Sequence, residues 1–271
     1  MTDLSPPVVF LSGAGGGAPD LNVFREGSED TTRFEVVSYP GWKRYVSDGF
    51  SAEGLIRDLV EEVARRVPRG PIGIVGLSIG GHFGYAVALR LEAMGRKVVG
   101  FCAIDTFMIA ASKPSSGWRG RALSEGLELL RGRRFGEFAR FLRSRFWRAL
   151  ARLAGSRLPF LLRRFSSYTS PSLSALDPIF EEELSMRLLI EASAPWVASL
   201  DREPVALGAP AILLRTNLTA GDDAAWRSRC PNIKIFELPG QHHTLFEAEN
   251  IASLREAFLA ATHDWRTDIS R

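Results

Sequence analysis

A serine set among glycines is the most chemically suggestive feature of this 271-residue chain. Gly76-Leu77-Ser78-Ile79-Gly80-Gly81 follows the apolar run Ile72-Gly73-Ile74-Val75 and opens a helical stretch from about Ile79 to Met94, closed by Gly95. A strand that turns directly into a helix strains the residue at the turn, and side chains two positions to either side must be minimal, as Gly76 and Gly80 are. The turn lifts the Ser78 hydroxyl out of the sheet at a helix N-terminus, where the Ile79 N–H becomes one donor to a developing oxyanion. Gly81 lets the helix approach the sheet closely. The plain alternative is a chance Gly-x-Ser-x-Gly in a glycine-containing loop; the flanking strand and helix weigh against it.

A serine hydroxyl is inert without a base. The chain has four histidines. His82 lies on the helix after Ser78, too close in sequence to reach back to it easily, and His263 near the end of the last helix reads as a surface residue. Gly240-Gln241-His242-His243 occupies a loop between the last strand and the final helix, so His242 or His243 is the expected base. The base needs an acid to hold its tautomer and stabilise the imidazolium. Asp105 ends the strand beside the nucleophile strand, while Asp222 and Asp223 follow a later one; both positions give the order Ser, Asp, His, and spacing favours neither strongly. Ser12-Gly13-Ala14-Gly15-Gly16-Gly17 follows the first strand. A dinucleotide loop would carry glycine where Ala18 stands and an acid where Ser38 ends the next strand. The better reading is the second half of an oxyanion hole, with the Ala14 N–H opposite that of Ile79. No cofactor-binding or metal motif is found, and no cofactor is expected.

Elements able to position these residues follow from hydrophobic patterning. Val8–Leu11, Phe34–Ser38, Ile72–Val75 and Lys97–Ile104 read as strands, alternating with helices from about Ser51 to Val67 and Ile79 to Met94. The alternation resumes with strands Ala211–Leu214 and Ile233–Phe236 and a closing helix Ile251–Thr262. The order predicts an α/β fold with a mostly parallel central sheet flanked by helices, forming one domain over residues 1–271. Residues 110–200, approximately, contain no good strand. Phe135, Phe138, Leu142, Phe146, Ala149 and Leu153 recur at helical spacing, so the stretch is expected to be a helical lid inserted into the domain.

Composition narrows the class further. Hydrophobic residues make up 45% and charged residues 24%, which excludes collagen, coiled coil and disorder. Two cysteines cannot staple a fold of this size, so a reducing cytoplasm is the default expectation. Residues 1–7 do not read as a signal peptide, and no apolar stretch is long enough for a membrane span. The net charge of +3 conceals an asymmetry: residues 119–164 hold thirteen arginines and three glutamates, hence +10, which leaves −7 for the rest. Such a segment suits an acidic partner, an anionic lipid surface or a merely solvated helix face; nothing resembles a nucleic-acid motif.

Taken together, these segments resemble the type I (terminal) thioesterase domains of nonribosomal peptide and polyketide synthases, within the α/β-hydrolase superfamily. The resemblance runs over nearly the whole chain. Val8 to Ala18 is similar to the opening strand and Ala-Gly-Gly loop, and Pro71 to Thr106 is similar to the elbow, its helix and a strand ending in Asp-Ser, here Asp105-Thr106. Pro239-Gly240-Gln241-His242-His243-Thr244-Leu245 is similar to a Gly-Asp-His-Phe-Thr/Ser-Met-Leu motif, with Gln241 in place of aspartate and His243 in place of an aromatic. His82 stands where the family has an apolar residue. The resemblance implies an α/β-hydrolase fold, a triad of Ser78, Asp105 and His242, and release of an acyl, peptidyl or polyketide chain from the phosphopantetheine of a carrier protein, by hydrolysis or macrocyclisation. Carrier proteins of such synthases are generally acidic, so the basic lid at 119–164 is the expected docking surface. In the related stand-alone editing thioesterases the acid follows the later strand, which would favour Asp222 or Asp223. A lipase or esterase acting on oxyesters, and a non-catalytic binding module, are the rival readings.

Overall fold

The computed structural model describes residues 6–14, 24–25, 33–106, 160–162, 164, 178–216, 223–242 and 244–267. Six strands form one parallel sheet: β1 (Val8–Leu11), β2 (Phe34–Val37), β3 (Ile72–Leu77), β4 (Val98–Ile104), β5 (Ala211–Arg215) and β6 (Ile233–Glu237). Their spatial order is β2-β1-β3-β4-β5-β6. The chain leaves β1 toward one edge and then builds toward the other, so the order reverses between β1 and β3. Ligands of open α/β sheets gather outside the carboxyl ends of the strands at such a reversal.

Both faces of the sheet are covered, which is why its central strands are almost continuously apolar. Val9, Leu11, Ile74, Phe101, Ala103 and Leu213 face α2 (Ala52–Arg66) and α3 (Ile79–Ala93). Val8, Phe10, Val75, Cys102, Ile104 and Leu214 face α6 (Ile251–Ala261) and α7 (His263–Thr267). Ser51 caps α2 by accepting a hydrogen bond from the Gly54 N–H at 3.0 Å. Its residues Leu55, Ile56, Leu59, Val60 and Val63 form the buried stripe. Helix α3 is buried on nearly every side and ends before Gly95, which adopts a φ of 75°. The closing helix ends where expected: Thr262 caps α6, and His263 opens α7 with its side chain 73% exposed.

The stretch expected to be a lid has two parts. The aromatic-rich stretch 135–153 and almost all of the arginine-rich segment lie outside the described residues. Its end is the 25-residue helix α4 (Pro178–Arg202), which packs on the body of the domain. Leu184, Leu188, Leu189 and Val197 are buried in the core shared with α2 and α3. The Trp42 N–H, on the short helix α1 (Trp42–Tyr45), donates to Ser185 Oγ, and its indole N–H donates to Glu181. Farther along α4, the Trp196 indole donates to Glu53 of α2 at 3.0 Å, and its ring stacks on Phe83 of α3.

Candidate active site

Ser78 joins β3 to α3 with φ 54° and ψ −126°, a left-handed region that costs a non-glycine residue on the order of 1–3 kcal/mol. The crowding around it explains the neighbouring glycines. A Cβ at Gly76 would overlap the Gly80 carbonyl, and one at Gly80 would overlap the carbonyls of Leu11 and Ser12. A Cβ at Gly81 would collide with Thr106, lying 2.8 Å from its Cβ. Ser78 is half-buried and its hydroxyl makes no helix cap. The Ile79 N–H opens α3, so no carbonyl one turn earlier accepts from it. Gly13, beside Ala14, lies against Ser78: a Cβ there would sit 3.7 Å from the serine Cβ. The loop after β1 thus approaches the elbow from across the sheet reversal.

The next strand leads into Asp105, one of the expected acids. β3 and β4 are paired, and the Ser78 N–H donates to the Ile104 carbonyl at 2.8 Å, which sets Asp105 beside the serine. Asp105 also has positive φ, 43°, and is fully buried. Its N–H donates to Leu214 O at 2.7 Å. One carboxylate oxygen, Oδ1, accepts from the Thr216 N–H at 2.8 Å and from the Thr216 hydroxyl at 2.9 Å. The other, Oδ2, lies 2.7 Å from His242 Nδ1. Burial pushes the Asp105 carboxyl up, but the hydrogen bonds from His242 and Thr216, with the His242 charge, outweigh it and hold the carboxyl below its ordinary value. A carboxylate only accepts, so Nδ1 carries the proton in this contact and Nε2 of a neutral ring keeps its lone pair. The His242 side chain is 31% exposed.

The remaining candidates separate by position. Asp223 opens α5 (Asp223–Arg229) and pairs with Arg215, so the histidine contact goes to Asp105. Asp222, His243 and Gly15 to Gly17 lie outside the described residues. His82 is fully buried and stacks on Trp226. Thr216 is the residue that sequence reasoning missed. Its signal was faint: a threonine one position past β5, the strand next to the one that ends before Asp105. Among the described residues no cluster of three or more metal-ligating side chains occurs, and no helix is long and apolar enough to cross a membrane.

A family model described as the alpha/beta hydrolase family matches residues 8–257. The chain belongs to the alpha/beta hydrolase family. This alpha/beta hydrolase is similar in fold to the NocB thioesterase domain solved as a covalent complex with a fluorophosphonate nocardicin G analogue. The TM-score is 0.60 and the identity 22%, over 94% of each chain. It is likewise similar to the Vlm2 thioesterase domain bound with a dodecadepsipeptide (TM-score 0.58, 17% identity, 94% of this chain and 92% of that one). A four-domain nonribosomal peptide synthetase, AB3403, matches 94% of this chain with 19% of its own length, at a TM-score of 0.59 and 17% identity. In sequence, 100 residues are 33% identical to the non-reducing polyketide synthase atnG of Arthrinium sp. That stretch is 37% of this chain, and the chain spans only 5% of the curated relative's length.

Proposed function

We propose that this alpha/beta hydrolase is a thioesterase that releases an acyl, peptidyl or polyketide chain from the phosphopantetheine arm of a carrier protein. The observation that carries the reading is the 2.7 Å contact between His242 Nδ1 and buried Asp105, next to a serine held on a strained elbow. His242 Nε2 takes the Ser78 proton as the hydroxyl oxygen attacks the thioester carbonyl. The carbonyl oxygen becomes an oxyanion held by the Ile79 and Ala14 N–H groups. Its collapse expels the pantetheine thiol, which leaves with the proton returned by His242, and a serine-bound oxoester remains. A second nucleophile, water or an internal amine or hydroxyl of the chain, then loses its proton to His242 as it attacks the oxoester carbonyl, and the Ser78 oxygen takes that proton back as it leaves. Throughout, Asp105 keeps the imidazole oriented and stabilises its charged form.

No resident cofactor enters this scheme; the phosphopantetheine belongs to the substrate. The fold-level likeness to the NocB thioesterase domain and to part of a four-domain nonribosomal peptide synthetase supports the assignment. The basic segment 119–164 is proposed to receive the acidic carrier protein, and residues 1–271 to act as a single catalytic domain. Matched substrates test the reading. Kinetics on an acyl-pantetheine thioester and the corresponding oxyester are expected to give a kcat/KM at least tenfold higher for the thioester. Equal or faster oxyester turnover would assign the site to an esterase instead.

A further inference from the structure

Behind the elbow lies a charged cluster that the proposed chemistry does not use. Arg229, the last residue of α5, is fully buried. One guanidinium nitrogen, Nη1, donates to His82 Nδ1 at 2.9 Å, and the other, Nη2, pairs with Asp201 near the end of α4. The guanidinium also lies over the rings of Tyr85 and Trp226, at 5.6 and 5.4 Å from their centroids. Because arginine only donates, His82 Nδ1 is an acceptor, and the ring is neutral there. Isolated buried charge is costly, so an arginine in this place is retained only where several elements meet it. Here those elements are α3, through His82 and Tyr85, α4, through Asp201, and α5 itself.

The cluster continues to the catalytic edge. Trp226 stacks on His82 with the ring planes 10° apart and centroids at 5.7 Å. Its indole N–H points to the carbonyl of Thr106 at 3.4 Å. Thr106 follows Asp105, whose positive φ requires support from its surroundings, and its side chain presses on Gly81 of the elbow helix. His82 lies one helical turn beyond Ser78. We propose that Arg229 is a positioning residue of the active site. Through His82 it holds the helix that presents Ser78, and through Trp226 it holds the turn that presents Asp105, fixing the two catalytic groups in one register. The inference rests on the triad proposed above. Arg229 touches no reacting atom; its effect is expected on rate rather than on substrate binding, because small misplacements of catalytic groups are expensive in rate.

The test is the rate of covalent labelling by a fluorophosphonate, per folded molecule, in the full chain and in Arg229→Met, Arg229→Lys and His82→Gln. Native labelling that is lost in Ser78→Ala first establishes the serine-hydrolase reading itself. Given that, Arg229→Met is expected to label at least tenfold more slowly and to lower kcat with KM nearly unchanged. Arg229→Lys, which keeps the charge but cannot meet His82 and Asp201 together, is expected to fall between. His82→Gln, which can still accept from Arg229, is expected to stay within threefold of native, and Arg229→Lys covers the case in which Arg229→Met does not fold. A native labelling rate in folded Arg229→Met or Arg229→Lys, with only Tm lowered, would reduce the cluster to a packing role. So would a His82→Gln loss as large as that of Arg229→Met. Failure of the native chain to label would overturn the triad instead, and with it the basis of this inference.

Discussion

The hydrogen bonds that the Asp105 carboxylate accepts determine how the site should respond to acid. Two come from Thr216 and one from His242. Since the folded carboxyl titrates below its ordinary value of 3.8, its ionisation stabilises the folded state above the unfolded pKa. That contribution is lost as pH falls through the lowered folded value. Thr216→Val removes a hydroxyl donor to a buried carboxylate, and such bonds contribute about 1.5–3 kcal/mol. Urea denaturation of the variant is expected to show a loss of that size near pH 7 and a shrinking difference below about pH 4; a difference constant with pH would contradict the assignment. Ser78 was legible in the sequence because strained turns restrict their neighbours to glycine. The acid was not legible from spacing, since an aspartate after a strand is an ordinary turn or cap residue; the resemblance pointed to Asp105, and the contact to His242, with Asp223 engaged by Arg215, agrees with that choice. Thr216 and Arg229 carry little local pattern, because Asp105 and His82, which they contact, lie more than 100 residues away.

Among the elements, strands were the most readable. Parallel strands covered on both faces must be apolar throughout, and each of the six was visible as a short run to within two residues. Helix α4 was not delimited in the sequence. Pro195 interrupts its helical character, acidic residues stand among its apolar positions, and the surrounding stretch reads as an insertion. In the structure it is part of the body, with Leu189 fully buried against the core. Leu189→Ala is therefore expected to cost about 2–5 kcal/mol of global stability, as buried leucine truncations do. Urea unfolding measures it. A loss below about 0.5 kcal/mol would mean that α4 belongs to a detachable lid. The arginines at the end of α2 behave differently: Arg65 and Arg66 pair with half-buried Glu62 at the surface and are expected to matter little.

For the molecule as a whole, charge distribution matters more than net charge. A +10 segment on a chain that is otherwise −7 makes encounter with an acidic protein dependent on ionic strength. Raising salt from about 50 to 500 mM, across which screening shortens the Debye length several-fold, is expected to raise KM for a carrier-borne thioester at least fivefold. KM for the same acyl group on pantetheine alone should change little. Parallel changes for both substrates would remove the basic segment from carrier recognition. The reversal of strand order between β1 and β3 is what lets these parts work together, since it brings the Ala14 loop and the Ser78 elbow to one crevice. The most direct test of the central claim is the intact mass of the protein after brief exposure to an acyl-pantetheine thioester, with Ser78→Ala alongside. The account predicts a mass increase of one acyl group on the native chain, absent from the variant, that decays to a free acid or a ring. An unmodified native chain that is turning over the thioester with no trapped acyl-serine, or an adduct that persists in Ser78→Ala, would contradict it.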